Sequence, residues 1–189
     1  MSPLLERAVE SRSVCSWLHD PDLTDMAALF SMACSEYAAR RAYRVNGKWI
    51  TYADCAARVY ATSASLWDVL SDYRGKTGKQ PVIGVLLPNS HIALECFFTA
   101  ALTGSIIFPI NHRLTAPEIT TALLASGSVV LVTCDAFANL LCDIEWNKLS
   151  VSTIVWTSEP VELPISDRRL WNTLLSSPPE AVGHFPLKQ

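Results

Sequence analysis

From Val82 onward the chain alternates short unbroken apolar runs with stretches in which apolar residues recur every three or four positions. The runs are Val82 to Leu87, Ser105 to Ile110, Val129 to Thr133 and Ser152 to Trp156. Uninterrupted apolarity over so short a length predicts strands covered on both faces, as in a parallel sheet. Between the first two runs, Ile92, Cys96, Phe97, Ala100 and Ala101 line one side of a predicted helix that Asn89 or Ser90 caps and Gly104 ends. Between the second and third, Thr115-Ala116-Pro117-Glu118 has the form of a capping box with proline in the first turn, opening a helix that closes at Ser126-Gly127. A short helix is expected from Asp135 to about Cys142. Strands and helices alternating at this spacing imply right-handed crossovers, with helices packed on both faces of the sheet.

The earlier part of the chain has a different texture. Met26, Leu29, Phe30, Ala33 and Tyr37 share one face of a predicted helix that Thr24 caps and that runs to about Arg41. Ala42 to Val45 and Lys48 to Thr51 flank Asn46-Gly47, a pair suited to the positive φ angles of a two-residue hairpin turn. Thr51, with Asp54 three positions on, then caps a long helix through Val59, Ser63, Leu66 and Leu70, followed by a polar loop from Asp72 to Gln80. Residues 1–21 read as an arm ending at Asp20-Pro21-Asp22, and residues 22–158 as the folded unit. Residues 159–189, proline-rich and weakly periodic apart from a helical turn or two around Leu170 to Leu175, read as a linker-like tail. The fold class that follows is α/β: a mostly parallel sheet flanked by helices in three layers, αβα, with an N-terminal β-hairpin.

Composition then narrows the functional classes. At 189 residues the chain is long enough for a substantial core, and 50% apolar against 17% charged residues argues against disorder. The net charge is −3, with no cluster of lysines and arginines to neutralise a line of phosphates, so nucleic acid is not an expected partner. Mean hydropathy is high, at +0.22, yet Gly104 with Pro109 and Ser126-Gly127 interrupt the longest apolar stretches, and no transmembrane span is expected. The six cysteines sit mostly among Ala, Leu or Phe in helical segments and read as reduced thiols. There is no Cys-x-x-Cys pair and no histidine at zinc spacing from a cysteine, so no metal site is expected. The default address is cytoplasmic, with a peroxisomal one open to a longer parent.

Four polar groupings are candidates for chemistry. Gly75-Lys76-Thr77-Gly78 has the letters of a phosphate loop, but a helix precedes it and a strand follows, the reverse of what such a loop requires. Ser90 and His91 stand together at a helix start, where capping is the expected role of the serine. Glu95 falls near the apolar side of its helix and reads as a rim residue. Asn111-His112-Arg113 follows a predicted buried strand directly, the place where open parallel sheets collect their ligands. The plainer reading there is that Asn111 shapes the turn while Arg113 pairs with an acid such as Glu118.

Several of these segments occur in the order of a known family. Leu87-Pro88-Asn89 ends a strand, Gly104 ends a helix, Phe108-Pro109-Ile110-Asn111 ends the next strand, Leu114-Thr115-Ala116-Pro117-Glu118 opens a helix, and Val132-Thr133 closes a further strand. Upstream, Trp49-Ile50-Thr51-Tyr52-Ala53-Asp54 joins a hairpin to a helix start. Together they resemble the N-terminal part of the adenylate-forming (AMP-dependent synthetase/ligase) superfamily, which includes acyl-CoA synthetases, from roughly Asp22 to Trp156. The departures are Leu102-Thr103-Gly104 where the family has Lys or Arg, Ala and Gly, and His91 at a common proline.

The resemblance implies a two-step reaction: a carboxylate attacks the α-phosphate of ATP to give an acyl-adenylate and pyrophosphate, and the thiol of CoA then takes the acyl group. An intact member uses ATP, Mg²⁺ and CoA. The family's glycine-rich phosphate loop, its ribose-binding Asp and its catalytic Lys have no counterpart here, and Thr157-Ser158 runs into Glu159-Pro160 instead of glycines. The expectation is an N-terminal fragment of an acid–CoA ligase, inactive alone, with no catalytic residue, cofactor site or metal site in this stretch. His112 and Arg113 are the candidate CoA contacts. The expected partner is the remainder of the ligase, or an oligomeric partner covering bare apolar faces. The alternatives are a non-catalytic fragment kept as a binding module, and an unrelated nucleotide-binding domain, against which no G-x-G-x-x-G follows any strand.

Overall fold

A computed structural model describes residues 25–176. The expected N-terminal arm, the end of the tail and Cys15 lie outside the described residues. Helix α1 (Met26–Glu36) is capped by Asp25, whose Oδ1 accepts the Ala28 amide at 2.8 Å, one position later than expected. It stops at Glu36, short of Arg41, because a turn at Tyr37 to Arg40 redirects the chain into a hairpin. That hairpin pairs β1 (Arg41–Val45) with β2 (Lys48–Thr51). Asn46 and Gly47 hold φ at 48° and 82°, the paired left-handed conformation this turn demands.

Helix α2 (Tyr52–Thr77) opens on the expected Thr51–Asp54 capping box. It continues well past Leu70, through the stretch expected as a polar loop. Asp72 pairs with Lys76 at 2.7 Å one turn apart, and Arg74 donates to the carbonyls of Thr103 and Gly104 at 2.9 and 2.8 Å. The polar residues are thus the outer face of a helix, and Gly78 is its left-handed cap. The chain then runs β3 (Val82–Val85), α3 (His91–Thr103), β4 (Ile106–Pro109), α4 (Ala116–Ser126), β5 (Val130–Thr133), a short 3₁₀ turn leading into α5 (Ala138–Cys142), and β6 (Thr153–Trp156). The fold class is the expected one.

The principal addition lies in the tail. Asp167–Leu170 forms a further strand, β7, parallel to β6, and Trp171–Leu174 forms a short helix, α6. Trp171 and Leu174 are buried. The strand escapes sequence pattern because it is polar and half exposed instead of a continuous apolar run. The parallel sheet therefore has five strands in the order β4-β3-β5-β6-β7. β4 is an edge strand, which leaves Ile106 exposed where full burial was expected.

Side chains alternate across the sheet. Ile83, Val85, Val130, Val132 and Val155 pack with α2, α3 and α6 on one face, through Leu66, Leu70, Cys96, Ala100 and Trp171. Leu86, Leu131, Ile154 and Trp156 pack with α4 and α5 on the other, through Ile119, Leu123 and Leu141. Each such buried aliphatic side chain contributes about 1.5–3 kcal/mol. A third cluster, around Phe30, Cys34, Cys55 and Val59, joins α1 and the hairpin to α2 and α3. In α3, Cys96 and Ala100 are core as expected, but Phe97 is exposed and Glu95 takes the inward place.

Candidate functional site

All five strands are parallel, so the loops leaving β3, β4, β5 and β6 emerge at one edge of the sheet. From β3 the chain crosses to β4 on one side and then returns past it to β5 on the other. The strand order thus reverses between β3 and β5, the position where doubly wound sheets bind ligands.

The loop after β4 carries Asn111, His112 and Arg113, all exposed. Asn111 Oδ1 accepts the Arg113 amide at 3.0 Å, and its carbonyl accepts the Leu114 amide at 3.2 Å, so the asparagine shapes the turn as expected. Arg113 does not pair with Glu118. The Glu118 carboxylate is occupied at its own helix start, accepting from the amide and the hydroxyl of Thr115, both at 2.8 Å. Those bonds hold it below the ordinary glutamate range. The His112 ring lies 6.2 Å from the ring of Phe137, which follows β5. Loops from β4 and β5 thereby meet across the end of β3, beside Arg113, which has no acidic partner among the described residues.

The neighbouring loops contain a pairing that sequence reading missed. Ser158 Oγ accepts the Asp135 amide and donates to Asp135 Oδ1, each at 2.8 Å, tying the loop after β6 to that after β5. Both residues stand just past buried runs, and that position is the signal that locates them. Thr133, at the end of β5, buries a hydroxyl without a partner.

The other candidates resolve as architecture. Ser90 Oγ caps α3 through the Ala93 amide at 3.2 Å. The His91 ring packs 6.0 Å from Tyr43, and burial lowers its pKa. Glu95 is not a rim residue: it is fully buried. Gly75-Lys76-Thr77 is the last turn of α2. Among the described residues, no group of three or more His, Cys, Asp or Glu converges on a point, and no helix is long and apolar enough to cross a membrane. Cys34, Cys55, Cys96, Cys134 and Cys142 are free thiols.

The family model for AMP-binding enzymes matches residues 30–180. The chain belongs to the AMP-binding enzyme family. Feruloyl-CoA synthases from Amycolatopsis and Streptomyces are each 34% identical to it over 91 residues, which span 48% of this chain and 17% of those proteins. The chain thus corresponds to a small part of the length of the curated relatives it matches. A Mycobacterium tuberculosis fatty acyl CoA synthetase shares the fold, with a TM-score of 0.67 and 20% identity over 87% of this chain and 31% of that one.

The carboxyl edge offers few free donors in the loop after β6. The Ser158 hydroxyl is already engaged with Asp135, the next residue adds a carboxylate, and Pro160 has no amide to donate. Arg113 and His112 stand exposed at the same edge, the His112 ring 6.2 Å from that of Phe137.

Proposed function

We propose that this chain forms the first α/β unit of an AMP-forming acid–CoA ligase, which joins a carboxylic acid to CoA through an acyl-adenylate. In this reading it supplies scaffold and a wall of the CoA site, while the groups that hold the triphosphate lie in other parts of the enzyme. The observation that carries the reading is the family match over residues 30–180, on a parallel sheet whose carboxyl edge exposes His112 and Arg113. Arg113 is assigned to a CoA phosphate, and His112, packed near Phe137, to the adjoining polar contact. The partner is the remainder of the ligase, and the compartment is cytoplasmic.

Two measurements on the 189-residue chain test this. Carboxylate-dependent exchange of pyrophosphate into ATP is expected to be absent, and its presence would overturn the assignment of phosphate handling to other parts. Calorimetric titration with CoA is expected to show weak saturable binding that Arg113→Ala reduces about tenfold, the scale of one charge-assisted hydrogen bond. Identical affinities for the parent and Arg113→Ala would remove the guanidinium from the CoA site.

A further inference from the structure

Away from the carboxyl-edge loops, the hairpin carries a surface of its own. β1 and β2 form a two-stranded sheet separate from the five-stranded one. The cross-strand pair Tyr43 and Ile50 turns inward, both residues packing against the cluster around Phe30, Cys34 and Val59. Successive residues of a strand point to opposite faces, so the next pair along, Arg44 and Trp49, faces away from the molecule. Trp49 keeps 48% of its surface exposed, although its ring is one of the largest apolar bodies a side chain offers.

Cations gather around that ring. Arg40, Arg41, Arg44 and Lys48 are all exposed. The Arg41 guanidinium lies 5.2 Å from the centroid of the Trp49 ring and that of Arg44 lies 6.0 Å from it. Arg44 Nε also donates to the Gly47 carbonyl at 3.1 Å, which holds it beside the turn, and Arg40 rests 4.8 Å from the Tyr37 ring. Among the described residues none of the four cations has an acidic partner. The Asp54 carboxylate, just beyond β2, is held by Thr51 in the capping box. The outer face of the hairpin thus joins an exposed indole to uncompensated positive charge, on a chain whose net charge is −3.

We propose that this face docks on the surface of a bilayer containing anionic phospholipids, with Trp49 seated at the level of the headgroups and the four cations against their negative charges. Indole rings settle at the membrane–water boundary because the ring is apolar and its N–H polar. Arginine and lysine stems let the methylenes follow the ring down while the charge stays among the headgroups. A lipid surface requires no groove, and the outer face of a two-stranded ribbon provides none. Single-stranded nucleic acid suits the face less well, since two guanidinia already lie against the ring on which a base would stack. The attachment is peripheral, for no described helix is long and apolar enough to cross a membrane. It rests on the hairpin alone and is independent of the ligase reading.

Sedimentation of the 189-residue chain with vesicles tests it, using phosphatidylcholine alone and phosphatidylcholine with about a quarter phosphatidylserine. Saturable association with the serine-containing vesicles is expected, about tenfold or more stronger than with phosphatidylcholine alone, and it should weaken steeply as salt is raised to about 0.5 M. The Arg41→Gln, Arg44→Gln double variant is expected to bind about thirtyfold more weakly, the effect of removing two cations near an anionic leaflet. Arg41→Lys, Arg44→Lys, which keeps the charge, should bind nearly as the parent does. Binding is expected to shift tryptophan emission to the blue, and Trp49→Phe to lose most of that shift. No association with either vesicle, equal association with both, or a glutamine variant that binds as tightly as the parent would overturn the proposal. So would displacement from the vesicles by an equimolar single-stranded oligonucleotide, which would make the face a nucleic-acid surface. Should the glutamine variant unfold, as read by circular dichroism, the two vesicle compositions still decide the matter.

Discussion

Arg58 on α2 grips Glu95 on α3 with a two-pronged contact, Nε to Oε1 at 2.6 Å and Nη2 to Oε2 at 3.0 Å, across 37 positions of sequence. The carboxylate is fully buried, while the guanidinium keeps about a quarter of its surface in solvent. The Tyr43 hydroxyl of the hairpin donates to the same carboxylate, and burial followed by that bond drives its pKa far above the phenol range. The two ends of the pair therefore respond differently to loss of a partner. Arg58→Ala strands a buried charge and is expected to cost about 3 kcal/mol or more. Glu95→Met leaves an arginine able to reach water and is expected to cost less. Tyr43→Phe, removing one of the donors, is expected to cost about 1–3 kcal/mol. Urea denaturation ranks the three, and an Arg58→Ala variant as stable as Glu95→Met would contradict the argument.

Acid should loosen the contact between β7 and α2. Arg169 bonds both carboxylate oxygens of Asp68, at 3.1 and 2.9 Å, as well as Asp167 and the Ser65 carbonyl. Burial acts to raise the Asp68 pKa, but the bonds from Arg169 outweigh it and the pKa is lowered overall. A carboxylate whose folded pKa is depressed stabilises the fold at every pH above its unfolded value, about 3.9, and loses that stabilisation as pH falls through the lower folded value. Melting temperature is expected to stay level from neutral pH to about pH 5 and to fall below about pH 4. Asp68→Asn should start lower and decline less steeply, as followed by circular dichroism.

The thiols should separate by reactivity. Burial pushes Cys34 up to about 11 and Cys55 up to about 12, and carries Cys96 higher still. Cys142 is exposed. Because the thiolate is the reacting form, a disulfide reagent at pH 8 is expected to modify Cys142 rapidly in a Cys15→Ser background. The four buried cysteines should respond only on unfolding. Fast labelling of Cys96 would show that α3 does not pack as described.

Gly84 in β3 faces α4, and a methyl group there would meet Ser128 Oγ at 3.1 Å and Leu123 Cδ2 at 3.4 Å. Ser128 is fully buried and bonded to Ser126 at 2.8 Å, so it has little room to yield. Gly84→Ala is expected to destabilise by about 1–3 kcal/mol, the scale of overpacking in a close-fitted core. Thermal unfolding measures it, and a neutral result would mean that α4 is free to shift outward.

What was legible in the sequence was whatever the chain settles over a few residues. The Asn46-Gly47 turn, the boxes at Thr51 and Thr115 and the left-handed ends at Gly104 and Gly127 are all local devices, and all are present. The exposed loop of His112 and Arg113 followed from the apolar run before it. What remained hidden depends on distant partners. Glu95 is buried because Arg58 and Tyr43 come to it from other elements. Asp167 to Leu170 is a strand because β6 offers an edge and Arg169 finds Asp68, 101 positions away. The Asp135–Ser158 pairing likewise joins loops that meet only once β5 and β6 lie side by side.

The outer margins of the sheet govern how copies of the molecule treat one another. Along β4 the amides of Ile106 and Ile110 point inward to the carbonyls of Pro81 and Val85, so the alternate positions face outward, and the last of these is Pro109, with no hydrogen to lend. Along β7 the margin carries Asp167, Arg168 and Arg169. A strand seeking to extend the sheet would meet a missing donor on one side and the exposed charge of Arg168 on the other. Both margins thereby disfavour ribbon-like growth of the sheet from one copy to the next.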